Sequence, residues 1–274
     1  MKKILLINDG STAVGPAAKL ALHIAKSMQA EIQIVPTYYQ TKAHRAKIMA
    51  GTRGQAVRNP EPETNWLIGL LQQLKGAYDG FQPAISATEN PATEAGAVAD
   101  LALRTDCWMI IRGCGAMPAG HSALDFQSLL NQLRCPLLMV PESWAGDSIR
   151  RIMYMTDLRY CRLNIMRYLA KWAMTSQVDL SLAHFSRNGL VPIVESYGLQ
   201  LFADIARQLP GCPLTFNNIR EPDIHRALDV LIDGLHSDLL VLINHRFHFK
   251  EIIGDRLTDQ LPEGTGIPFL LFPL

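Results

Sequence analysis

The sequence predicts an α/β protein made of two doubly wound domains, each a five-stranded parallel sheet covered by helices on both faces. Three observations carry that prediction. Short apolar runs without polar alternation, such as Leu239-Leu240-Val241-Leu242-Ile243, suit central parallel strands buried on both faces. These runs alternate with segments of helical period, a pattern that calls for right-handed βαβ crossovers. The whole pattern then occurs a second time along the chain, so one unit is present in two copies.

Taken in order, the first copy offers strands at 3–8, 31–36, 82–87, 107–112 and 136–140. The second offers them at 151–156, 179–184, 213–219, 239–244 and 268–272. After the first strand, Ala17, Leu20, Ala21, Ile24, Ala25 and Met28 recur at i, i+3, i+4 spacing and define one buried helix face. Ile165, Tyr168, Leu169, Trp172 and Ala173 do the same at the matching place in the second copy. Asn90-Pro91 and Glu221-Pro222 each open a helical stretch that ends at Asp106 or Asp238 and leads into an apolar run.

The register between copies is specific. Lys3-Ile4-Leu5-Leu6-Ile7-Asn8-Asp9 matches Arg151-Ile152-Met153-Tyr154-Met155-Thr156-Asp157 at an offset of 148, and Ala30–Val35 keeps that offset against Val178–Ala183. Later landmarks fall at 131 (Asn90 with Glu221) and 132 (Cys135 with Ile267). The fall from 148 to 131 gives the first copy 17 additional residues between its second and third strands. Gly146, Asp147 and Ser148 mark a polar linker, so the expected domains are 1–146 and 147–274.

Composition narrows the function classes. With 274 residues, 48% hydrophobic and 19% charged, the chain can fill two ordinary cores and is not a largely disordered one. Lysine plus arginine number 26 against 25 aspartate plus glutamate, so no strong field recruits nucleic acid or an anionic membrane. Asp9 interrupts the opening apolar run before a secretory segment is complete, and no stretch approaches the ~20 apolar residues of a membrane span. Five cysteines, an odd number without a C-x-x-C pair, imply neither a disulfide framework nor a zinc ribbon. A soluble protein of the reducing cytoplasm is the expectation.

A strand ending in Asp9-Gly10-Ser11, a helix, a second strand, a late glycine-rich turn and the strand Cys135-Pro136-Leu137-Leu138-Met139-Val140-Pro141 resemble the universal stress protein family, in both halves. The resemblance implies an adenine-nucleotide-hydrolase-like fold, a role in stress response, and an intrachain pseudo-dimer that mimics the dimer of single-domain members, with a further homodimer conceivable. In nucleotide-binding members the aspartate after the first strand and a residue ending the second hold the adenosine. A Gly-x2-Gly-x9-Gly-Ser/Thr loop after the fourth strand holds the phosphates, because glycine backbones approach an anion closely and the next helix presents its positive end. Carried over, the adenosine side is Asp9, with Gly10 and Ser11 beside it, and Val35 in the first copy, and Asp157 and Ala183 in the second.

The phosphate side is degenerate in both copies. The first reads Arg112-Gly113-Cys114-Gly115-Ala116-Met117-Pro118-Ala119-Gly120-His121-Ser122, without Gly-Ser at the family spacing. Gly113, Gly115, Gly120 and Ser122 form either a remnant anion nest, to which Arg112 adds charge, or a plain turn. The second reads Asn244-His245-Arg246-Phe247-His248-Phe249-Lys250, and its first glycine, Gly254, precedes Asp255, whose charge repels a phosphate. Asn244 at the strand end is the remaining polar candidate there.

Other conspicuous residues have competing readings. Asp9 and Asp157 either meet a ligand or cap the turn that follows them. Cys114, in a turn expected to be exposed, is either a modifiable thiol or incidental, and the incidental reading is the stronger. His245 and His248 lack a third ligand in sequence and read as solvated or capping side chains, so no metal is expected. The segment 38–60, with Lys42, Arg45, Lys47, Arg53 and Arg58 and no acidic residue, is a solvated loop or a lid over an anionic ligand. No catalytic triad or Cys/His pair is recognisable, so the chain is expected to act by binding or regulation, on another protein or a small anionic ligand, and not as an enzyme. The alternative is an ATP or AMP binder, or weak ATPase, using the first domain.

Overall fold

The computed structural model describes residues 1–37, 60–76, 80–117, 124–146, 148–185, 195–262 and 264–274. It divides into two compact units, Met1–Glu142 with Thr258–Gln260, and Ser143–Leu257 with Leu261–Leu274. The segment carrying Lys42, Arg45, Lys47, Arg53 and Arg58, and the positions Gly120 and Ser122, lie outside the described residues.

In the first unit β1 (Lys2–Asn8) is followed by α1 (Val14–Met28), β2 (Ala30–Pro36), α2 (Pro60–Gly76), β3 (Ile85–Ala87), α3 (Ala95–Arg104), β4 (Cys107–Cys114), α4 (Phe126–Gln132) and β5 (Leu137–Pro141). The strands are parallel in the order β3-β2-β1-β4-β5. Ile4, Leu5, Leu6 and Ile7 of β1 are wholly buried, as a central strand covered on both faces requires. The predicted stripe of α1, from Ala17 through Met28, is buried in full. Leu20 and Ile24, both inaccessible, contribute about 1.5–3 kcal/mol each through burial. The helix stops at Gln29, whose left-handed backbone (φ 51°) lets its N–H donate to the Ala25 and Lys26 carbonyls before β2 begins. β3 is shorter than predicted because Pro83, which lacks an N–H, precedes it at the sheet edge.

The second unit runs β6 (Arg151–Met155), a 3₁₀ turn (Leu158–Tyr160), α5 (Leu163–Ser176), β7 (Asp179–Phe185), α6 (Glu195–Arg207), β8 (Leu214–Ile219), α7 (Ile224–Asp229), a π turn (Val230–Gly234), β9 (Leu239–Ile243), α8 (Phe247–Ile252) and β10 (Phe269–Phe272). Its parallel order is β8-β7-β6-β9-β10. Ile165, Leu169, Trp172 and Ala173 of α5 are buried, and half-buried Tyr168 sets its ring edge-on to Phe272 at 5.2 Å. In each unit the winding reverses beside its first strand, between β1 and β4 or between β6 and β9. Ligands of open α/β sheets bind in the crevice at that reversal, outside the strand carboxyl ends. Among the described residues no helix is long and apolar enough to cross a membrane.

Candidate functional site

At the carboxyl end of β1 the chain turns sharply through Gly10, whose φ of 72° suits a residue without Cβ. Asp9 is buried and directs this turn. Its Oδ1 accepts from the Ser11 N–H at 3.0 Å, and its Oδ2 accepts from Arg112 Nε at 3.1 Å. Arg112 is fully inaccessible, with its guanidinium 3.7 Å from the Phe126 ring centroid. Two opposite charges are thus desolvated together, and the aspartate has an internal partner. Val35, opposite Ile7, is wholly buried.

Gly113 in β4 and Gly115 just beyond it have a packing role. A Cβ on Gly113 would lie 2.3 Å from the Ala13 carbonyl oxygen, and one on Gly115 would lie 2.6 Å from Thr12 Oγ1. The β1–α1 turn rests directly on these glycines, and the Thr12 N–H donates to the Ala116 carbonyl at 3.1 Å. Backbone therefore occupies the near side of the turn that an anion nest would need. The Arg112 Nη1 and Nη2 and the Ser11 Oγ are buried without a hydrogen-bond partner among the described residues. The expectation that Cys114 is exposed is corrected: β4 continues through Cys114, which pairs with Pro141, and burial pushes the thiol up to about 12.

The same position in the second unit is built differently. Asp157 accepts from the Arg159 N–H at 3.0 Å and from Arg159 Nε at 2.9 Å, so it caps the 3₁₀ turn and forms an ion pair two residues away. Burial raises its carboxyl, but hydrogen bonding and charge from Arg159 outweigh this and hold it below the usual range. Ala183, opposite Met155, is buried. Asn244 is inaccessible, and its N–H donates to the Phe272 carbonyl at 2.9 Å.

Here a cavity of about 200 Å³ opens at the ends of β6 and β9, with Thr156, Asp157, Tyr160, Arg246, Phe247 and His248 among its walls. His245 is exposed in a left-handed conformation (φ 58°), whereas His248 is buried, its Nε2 3.2 Å from the Phe185 carbonyl. The solvated or capping role expected for His248 is therefore corrected. Burial lowers its pKa to about 4, so the ring is neutral at physiological pH and donates through Nε2. His184 is fully buried, and burial lowers its pKa despite the opposing charge of Asp157 and hydrogen bonding to the Thr156 backbone. Among the described residues no three His, Cys, Asp or Glu side chains gather as metal ligands. Sequence reasoning did not single out Tyr160, Arg246 or Phe247. Their one signal was position, immediately after two strands already placed beside the crevice.

These features define an α/β protein with a strand-order reversal in each unit and a cavity at the reversal of the second. No family model and no curated protein matches the sequence. Solved structures do match it. A universal stress protein from Archaeoglobus fulgidus DSM 4304 is 12% identical over 98% of this chain and 97% of its own, with a TM-score of 0.65. A candidate universal stress protein from Pseudomonas aeruginosa UCBPP-PA14 is 14% identical over 99% and 93%, at 0.55. A functionally unknown protein from Pseudomonas aeruginosa PAO1 is 13% identical over 99% and 92%, at 0.53. The chain has the fold of the universal stress proteins.

Proposed function

We propose that this chain is a universal-stress-type protein of the cytoplasm that acts in stress response by binding and regulation, not by catalysis, and that nucleotide-phosphate chemistry is lost from both halves. One observation carries the reading. Each aspartate that the resemblance assigns to adenosine is engaged by an arginine of its own chain, Asp9 by Arg112 and Asp157 by Arg159. Releasing either carboxylate to a ribose hydroxyl means breaking a charge-assisted bond worth about 1.5–3 kcal/mol. The fit of the β1–α1 turn onto Gly113 and Gly115 supports the same conclusion for phosphate. A second reading, ATP or AMP in the first domain, draws on the unpartnered Arg112 Nη1 and Nη2 and Ser11 Oγ, which suit an acceptor-rich ligand. Mass spectrometry of the native purified protein separates the two: the unliganded mass supports the first reading, and stoichiometric ATP or AMP supports the second.

A further inference from the structure

We propose that the cavity at the ends of β6 and β9 is a binding site for a small aromatic carboxylate. This rests on the reading that the chain works by binding without nucleotide phosphates. Size decides first. The cavity measures about 200 Å³, and an apolar cavity of roughly 150 Å³ already accepts a benzene ring, so one ring with a small substituent fits within it.

The walls suit a flat apolar ring. Met155 and Ile243 supply aliphatic and thioether surface, and Tyr160 and Phe247 supply rings. Phe247 is a fixed wall: it stacks on Phe185 at 6.3 Å and 22° between ring planes, and meets His248 edge-on at 5.5 Å. A surface held this way loses little freedom when a ligand docks.

Charge decides the polar group. Asp157 is neutralised by Arg159, which leaves Arg246 as the lining cation without a carboxylate partner among the described residues. Its planar fork matches one carboxylate through two parallel hydrogen bonds. A phosphate monoester would bring close to two negative charges to this single cation, beside a turn that has His245 where a phosphate loop needs glycine. With Nε2–H engaged by the Phe185 carbonyl, neutral His248 keeps Nδ1 as an acceptor, suited to a ring hydroxyl or N–H.

Calorimetric titration of the full chain with benzoate and with benzamide, its neutral isostere, tests this. Benzoate is expected to bind once per chain and benzamide about tenfold more weakly. Arg246→Gln should weaken benzoate about tenfold and leave benzamide within about twofold. Phe247→Leu should weaken both ligands, and Tyr160→Ala, at an exposed position, gives the same readout should the Phe247 variant fail to fold. Benzoate that does not saturate, or that ignores Arg246→Gln and both ring variants, overturns the proposal. AMP supplies the last arm. Displacement of benzoate by AMP at lower concentration overturns both the ligand class and the reading beneath it, whereas absence of binding by both overturns the ligand class alone.

Discussion

A carboxylate that already holds an arginine of its own chain has lost its best lone pairs to that arginine, and at Asp9 the pair is also removed from water. Burying two charges gains little over an apolar pair of the same shape, but stranding one of them costs about 3–5 kcal/mol. Asp9→Ala and Arg112→Met should therefore each lower stability by about that amount, while the double variant Asp9→Asn/Arg112→Met recovers much of it, read by chemical denaturation. At Asp157 the partner is more accessible, and the same experiment should return about 1 kcal/mol. Asp9 and Asp157 were legible as strand-end carboxylates because the apolar run before each and the turn after each are local signals. The Arg112 partnership was not, since the two residues lie 103 positions apart and only the β1–β4 pairing brings them together.

At the scale of elements, Gly113 in β4 and Gly115 just beyond it carry the β1–α1 turn, whatever else the glycine-rich segment does. Gly113→Ala would drive its Cβ into backbone at 2.3 Å, where no side chain can move aside, and should cost about 2–3 kcal/mol or more. Gly69→Ala, exposed in the middle of α2 with nothing within 4 Å, should instead stabilise by about 0.5–1 kcal/mol. Thermal melting of the two variants in opposite directions would assign Gly113 to packing, and an unchanged Gly113→Ala would refute that. The strands and amphipathic helices were legible because periodicity is a local property, as the buried stripe of α1 illustrates. The walls of the cavity in the second unit were not: Tyr160 comes from a 3₁₀ turn capped by Asp157, and Phe247 gains its role only through stacking on a residue of β7.

Over the whole molecule, the buried histidines of the second unit set an acid limit. The folded pKa of His248 is depressed to about 4 from an ordinary value of 6.5, so between these values the unfolded chain takes up a proton that the folded one excludes. Stability is fully present above pH 6.5 and should fall by up to about 3 kcal/mol as pH drops through that window. His184 acts in the same sense, and Asp157, held low by Arg159, extends the loss below the usual carboxylate range. Urea denaturation at stepped pH should show this slope in the wild type and a flatter one in His248→Gln, whose amide can still donate to the Phe185 carbonyl. The winding within each unit was legible at this scale, from apolar runs and landmarks at offsets of 148 and then 131–132, whereas the lining of the cavity depended on contacts that no offset encodes. The proposed loss of nucleotide-phosphate chemistry rests on internal arginines and on the β1–α1 turn packed over Gly113 and Gly115. Isothermal calorimetry with Mg-ATP should accordingly show no saturable binding, and a dissociation constant in the low micromolar range or below would refute that loss.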